Sequence, residues 1–264
     1  MHPILFEIPL GFVTIPLHTY GFMIAVGFLV SIAVMRRLAV RSKVNPDLVS
    51  DLAFWLLMTG FLGARILFII TRLDYFMRNP IDIFKVWEGG LVFFGGLISA
   101  TAYGVWYVNK HKLSAWKMVD IIMPGVVTGH AFGRIGCLGA GCCYGRPTGA
   151  PWGVRLNSEL VDAQFRGIPL HPTQLYESVS LFILLAGLLY IFKRKKFDGE
   201  VGLIYFMVYP IIRSIVEIFR GDSIRGFIIE DVLSTSQFIS IFVFAGALAV
   251  LVYRLKKANE KIGN

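Results

Sequence analysis

Apolar blocks of about twenty residues recur along the chain and limit what it can fold into. Roughly 20 residues of helix cross a hydrocarbon core of about 30 Å. Within that core the backbone must satisfy its own hydrogen bonds, which leaves helices or closed barrels. Continuous blocks of this length, without strict alternation, read as helices. They fall at about 17–35, 49–71, 89–108, 118–136, 174–192, 200–219 and 237–253. A hydrophobic content of 56% and a mean hydropathy of +0.67 exclude an ordinary water-soluble domain. The expected fold is an all-α polytopic membrane protein of about seven transmembrane helices, forming one transmembrane domain over residues 1–264.

Charge sets the expected orientation. Arg36, Arg37, Arg41 and Lys43 follow the first block; Lys110, Lys112 and Lys117 follow the third. Lys193 to Lys196 follow the fifth, and Arg254, Lys256, Lys257 and Lys261 the seventh. The opposite side holds Arg72, Arg78, Lys85, Arg146, Arg155, Arg166, Arg220 and Arg225. The positive-inside rule puts the richer side in the cytoplasm, with the N-terminus outside and the C-terminus cytoplasmic. The net charge of +9 thus follows topology, and no nucleic-acid partner is expected. MHPILFEIPLGF lacks the basic start of a cleavable signal, so the first span is expected to be retained. Two connections, 72–88 and 137–173, are rich in Gly, Pro and aromatics and are expected to be structured non-cytoplasmic loops. No internal repeat marks an inverted-repeat transporter.

Three arginines remain inside the blocks, Arg65, Arg134 and Arg213, with one acid, Glu217. A charge at membrane depth costs at least a few kcal/mol and marks a candidate site. Arg213 and Glu217 stand four apart and can pair on one helix. Arg134 has no acid within a turn or two and sits in HAFGRIGCLGAGCCYG, where glycines admit a close ligand. Two or three arginines around one acid suit an anion, and the guanidinium fork suits a phosphate, most simply a lipid head group. The alternative is that each arginine snorkels to an interface.

Other segments bear on the same region. GGLVFFGGL at 89–97 permits tight helix packing. In LHPTQLYES, Thr173 is a plausible N-cap, which leaves His171 and Glu177 at the outer surface near Arg134. Tyr205, Tyr209 and Arg213 share a helix face, where a phenol can bond a phosphate or relay a proton. Cys137, Cys142 and Cys143 read C-x4-C-C, a weak spacing for zinc even with His130 and His171, so no metal is expected. A disulfide and simple packing both remain open for them.

Taken together the motifs resemble the prolipoprotein diacylglyceryl transferase family of bacterial inner-membrane enzymes. They are HTYGFM at 18–23, GAR at 63–65, FKVWEGGLVFFGGL at 84–97 and Asp120 ahead of Arg134. GR-x-G at 133–136, HPTQLYE at 171–177 and Tyr209-x3-Arg213-x3-Glu217 complete the set. The resemblance implies transfer of the diacylglyceryl group of phosphatidylglycerol to the thiol of a lipobox cysteine in a prolipoprotein signal peptide. A thioether forms and glycerol phosphate leaves. By resemblance Arg134 binds phosphatidylglycerol, and Tyr20, Tyr209, Arg213 and Glu217 match positions important in the family. The expected catalytic residues are Arg134, Arg213, Tyr209, His171 and Glu217, and the expected phosphatidylglycerol-binding residues Arg134, Tyr20, Arg65 and Gly145. No cofactor is implied, and the partners are membrane lipids and the precursor.

The chain departs from that pattern in one region. After the GR the family usually continues as GNFxNxExxG, whereas GCLGAGCCYG stands here. Cys137 and Ala140 replace the asparagines, Cys142 the glutamate, and Phe94 the histidine of an FHGG run. A mechanism with that histidine as base cannot apply. The loss of the glutamate and asparagines also removes polar partners of Arg134: either Glu88, Glu177 or His171 substitutes for them, or the chain is a variant with altered activity. Two further readings are a divergent member with another acceptor and a non-catalytic protein that binds or transports a lipid or anion.

Overall fold

The computed structural model describes residues 4–9, 14–86, 89–222, 226–229 and 232–260. Trp87, Glu88, Arg225 and Lys261, which the sequence reading uses, lie outside the described residues. Helices occupy every apolar block: α1 (Thr19–Arg41), α2 (Pro46–Thr71), α4 (Phe93–Lys110), α5 (Ala115–Ala140), α6 (Thr173–Phe192), α7 (Glu200–Phe219) and α8 (Thr235–Glu260), with a short α3 at Leu73–Arg78. Among the described residues, six of them, all except α3 and α4, are long and apolar enough to cross a membrane. Their outward side chains suit lipid: Leu29, Ile183 and Phe242 are 66%, 68% and 61% exposed. The polar connections add three two-stranded antiparallel ribbons, β1–β2 (Ile4–Pro9, Thr14–His18), β3–β4 (Val154–Arg155, Pro169–Leu170) and β5–β6 (Phe227–Ile229, Leu233–Ser234).

The chain divides into two compact units. The first comprises residues 1–34 and 119–264. In it, α1 lies against α5 because small residues let the backbones approach. A Cβ on Gly27 would fall 2.7 Å from Phe132 Cβ, and one on Gly139 would fall 2.5 Å from Thr19 Cγ2. Ser31 Oγ donates to Gly125 O at 2.8 Å across the same contact. On its other side α5 meets α6, where Ser178 Oγ donates to Ala131 O at 3.0 Å and Phe132 packs edge-on to Phe182. At the far end of α5 the fully buried Asp120 accepts from Lys195 Nζ and from the amides of Gly199 and Gly202 at the start of α7. The connection expected from residue 137 begins instead at Gly141, since α5 continues to Ala140. It folds over a small core of its own, formed by Tyr144, Leu156, Val161 and Leu170.

The second unit, residues 35–118, is built on α2 and α4. Gly60 and Gly63 face Gly96 and Gly95 so closely that a Cβ on Gly95 would lie 2.3 Å from Gly63 O. The GGL motif therefore serves packing, as small residues do between helices in lipid. The connection after α2 is structured, with α3 followed by a 3-10 turn at Pro80–Phe84.

Gly95→Ala is expected to destabilise the protein by about 1–3 kcal/mol, because the added methyl meets backbone. Gly187→Ala, with nothing within 4 Å of the new Cβ, is expected to be neutral or stabilising. Thermal unfolding in detergent compares the two.

Candidate active site

Arg134 and His130 are four apart on α5 and therefore share a face. Glu177 stands one turn into α6, opposite that face, and is 1% exposed. Arg134 Nε lies 3.0 Å from Glu177 Oε2, and His130 Nε2 lies 3.3 Å from Glu177 Oε1. Arg134 Nε also donates to His130 Nε2 at 3.3 Å. Tyr209 on α7 closes the group, its hydroxyl donating to Glu177 Oε1 at 3.4 Å and its ring meeting that of His130 edge-on. The sequence places Glu177 at the outer surface; the structure buries it as the counter-ion of Arg134. All of these contacts use one nitrogen of Arg134. Its two terminal amino groups bond no protein acceptor among the described residues.

Helix α7 carries a second charged group on the face expected from its spacing. Tyr205 stacks on Tyr209 at 5.6 Å, and Arg213 pairs with Glu217 at 2.6 Å. Arg220, just past the helix end, lies 3.8 Å from Glu217 and forks onto Asp222. Arg213 Nη1 is buried without a hydrogen-bond partner among the described residues. Arg213 is also within electrostatic reach of Glu177 and Tyr209, which joins the two groups. His130, Arg220 and Asp222 are members that the sequence reading did not assign to this site. The four-residue step from His130 to Arg134 was a signal; Asp222, in the segment past the end of α7, left none.

The cysteines converge for a backbone reason. Helix α5 ends with Gly141 at φ 82, its amide donating to Leu138 O at 3.2 Å and the amide of Cys142 donating to Cys137 O at 3.1 Å. That pair of bonds is a Schellman motif, which sets Cys142 beside Cys137, where an apolar contact is usual. Cys143, at φ 58, turns the third side chain back. The three sulfurs lie within 4.8 Å of one another, and all three residues are free thiols. Thr173 Oγ1 and Gln174 Nε2 donate to the carbonyls of Cys143 and Cys142, each at 2.7 Å, tying the loop to the first turn of α6. Hydrogen bonds from the other two thiols hold the Cys143 thiol well below the usual thiol range against the effect of burial, and Arg134 and Arg220 add to this.

The remaining expected residues have partners of their own. Tyr20, in the first turn of α1, packs against Gly136 and is within electrostatic reach of Arg134 and the cysteines. Gly145 sits where three backbones cross; its amide donates to His171 O at 2.9 Å, and a Cβ there would meet His171 and Phe219 at 2.5 to 2.8 Å. His171 turns to an aromatic group, its Nδ1 3.0 Å from Tyr176 Oη, which also accepts from Trp152 Nε1. With Phe219, Ile212 and Ile215 these line an open pocket of about 400 Å³. Among the described contacts His171 makes none with Arg134. Arg65 belongs to the second unit. It donates to the carbonyls of Asp82, Ile83, Lys85, Gly89 and Gly90 and lies over the rings of Phe68 and Phe76.

Fold and site together define a polytopic membrane protein with a buried arginine–carboxylate centre and spare guanidinium donors. Residues 3–253 match the family model described as prolipoprotein diacylglyceryl transferase, and the chain belongs to that family. Among its relatives is a phosphatidylglycerol–prolipoprotein diacylglyceryl transferase of Clostridium tetani, 36% identical over 97% of this chain and 100% of its own. Proteins of the same description from Clostridium perfringens and Finegoldia magna are each 34% identical, over 93% and 92% of this chain and 93% and 94% of theirs.

Glu177→Gln leaves Arg134 buried beside a neutral amide and is expected to lower stability by about 3 kcal/mol. Tyr209→Phe, which removes only a long hydrogen bond, is expected to cost no more than about 1 kcal/mol. Chemical unfolding of each variant in detergent measures the difference.

Proposed function

We propose that this chain transfers the diacylglyceryl group of phosphatidylglycerol to the lipobox cysteine thiol of a prolipoprotein, the first step of lipoprotein maturation. The relatives matched along nearly their full length carry that transfer in their names. The observation that supports a role for Arg134 is its guanidinium, held through Nε with its terminal fork meeting no protein acceptor among the described residues. A phosphodiester fits that fork through two parallel hydrogen bonds. As the carbon–oxygen bond breaks, negative charge grows on the departing glycerol phosphate, so these bonds strengthen toward the transition state. Arg213 offers a second donor through its buried Nη1.

Glu177 and Glu217 hold the two arginines in place, and Tyr209 fixes Glu177. Tyr20 and Gly145 border the lipid head group, and His171 serves from the aromatic pocket beside α6. Arg65 orders the backbone after α2, and a lipid contact from it requires one of its carbonyl bonds to yield. The enzyme sits in the bacterial inner membrane with this centre toward the non-cytoplasmic side. Helix α4, at 18 residues, joins the six longer helices as a seventh span, which puts the N-terminus outside and the C-terminus in the cytoplasm.

Purified protein, phosphatidylglycerol labelled in its terminal glycerol and a lipobox peptide are expected to yield labelled glycerol phosphate and a thioether peptide. Arg134→Ala is expected to lower kcat by about 10²–10³ per folded molecule, beyond the stability lost by leaving Glu177 unpaired. Wild-type turnover by Arg134→Ala removes the phosphate role, and failure of the wild-type gene to complement a transferase-depleted strain despite insertion removes the activity.

A further inference from the structure

We propose that Cys137, Cys142 and Cys143 form a three-thiolate site for a zinc ion, and that the open coordination position takes the acceptor thiol. The second half of this proposal rests on the transferase reading; the metal site stands without it.

The geometry is close to that of such a centre before it contracts. The sulfurs lie within 4.8 Å of one another. Thiolates at about 2.3 Å from a tetrahedral zinc stand about 3.8 Å apart, so side-chain rotations of under about 1 Å close the set. The backbone prepares the arrangement. A Schellman turn sets Cys142 beside Cys137, and Cys143 holds φ 58, a left-handed conformation that a β-carbon makes costly. Thr173 and Gln174 fix the carbonyls of both loop cysteines, so the ligands rest on α6 rather than on a loose loop. Among the described residues no carboxylate or imidazole joins the three sulfurs. Three protein ligands and one open position are the pattern of reactive rather than structural zinc.

Charge favours the same reading. Three thiolates around a divalent ion carry one net negative charge, and Arg134 and Arg220 are both within electrostatic reach of Cys143. The centre therefore adjoins the arginine that the transfer reaction assigns to the phosphate. The reaction needs a thiolate, yet the nearby basic groups are already engaged: His130 by Glu177 and Arg134, and Glu177 by Arg134. Coordination supplies the thiolate without a free base, because a thiol bound to zinc is deprotonated outright. The proton passes to solvent. The bound sulfur attacks the glycerol carbon, a carbon–sulfur bond forms, and the carbon–oxygen bond to phosphate breaks with its electron pair leaving on glycerol phosphate. No electron is exchanged, the ion stays divalent, and the neutral thioether, a weak ligand, dissociates.

The test uses the full-length protein in detergent with reductant, stripped by chelator and titrated with Zn2+ and, as a spectroscopic probe, Co2+. The proposal expects one ion per chain, a sulfur-to-cobalt charge-transfer band, and at least a hundredfold weaker binding in Cys142→Ser and Cys143→Ser. A lipobox peptide should change the cobalt spectrum, and the same peptide with serine for cysteine should not. Chelation should abolish thioether formation and Zn2+ should restore it. Absence of stoichiometric binding to the wild-type protein overturns the site, a result that depends on no variant folding. Full transfer by chelated protein overturns the metal's role while leaving the transferase reading intact. Metal binding with a peptide response but no release of glycerol phosphate sinks the transferase reading and supports the site.

Discussion

The buried pair of Arg134 and Glu177 organises everything around it. Neither charge can sit alone at this depth, since an unpaired ion in such surroundings costs several kcal/mol. Helices α5 and α6 must therefore meet with His130, Arg134 and Glu177 in register, and the Ser178–Ala131 bond and the Phe132–Phe182 contact keep them there. The pair then sets where α7 belongs, because Tyr209 reaches Glu177 only from that side. Once α7 is seated, Arg213 and Glu217 lie beside the first pair and Arg220 follows at the helix end.

The cysteine loop depends on the same junction. Its carbonyls are held by Thr173 and Gln174, the residues that begin α6 one turn before Glu177. A shift of α6 along α5 would thus disturb the ion pair and the sulfur cluster together. This coupling gives the loop a fixed position next to Arg134 although it lies beyond the end of α5.

Much of this was legible in the sequence. The apolar blocks located the helices, with ends displaced by a few residues, because burial in lipid leaves a composition signal that is hard to mistake. Arg134, Arg213 and Glu217 declared themselves as charges within those blocks, and the i, i+4 spacing foretold the Arg213–Glu217 pair. Glu177 was harder: the Pro172 turn suggested an interface, and only the packing of α6 on α5 shows that its carboxylate is buried. The cysteines were harder still. Their C-x4-C-C spacing is unremarkable for a metal along an extended chain, and it acquires meaning only when Gly141 closes a Schellman turn. Asp222 was invisible, since it lies past the end of α7, where the Gly221 amide bonds Tyr144 O and no helical spacing marks it.

Arg65 and Arg134 looked alike as letters, each an arginine in an apolar block, and the structure separates them by where their donors go. A guanidinium has five N–H groups. Every nitrogen of Arg65 donates to a backbone carbonyl, those of Asp82, Ile83, Lys85, Gly89 and Gly90, so its charge is used to hold the backbone after α2. Among the described residues Arg134 contacts the protein through Nε, and its fork meets no acceptor. The difference is a physical criterion for telling a structural arginine from a ligand-binding one at membrane depth. Burial does not make the distinction, because both are shielded. Charge pairing does not either, because among the described residues Arg65 has no carboxylate on its guanidinium, while Arg134 has one and still leaves its fork without a protein acceptor. What distinguishes them is unused, directed hydrogen-bonding geometry. On that count Arg213, with one buried nitrogen unpartnered among the described residues, stands with Arg134 and not with Arg65.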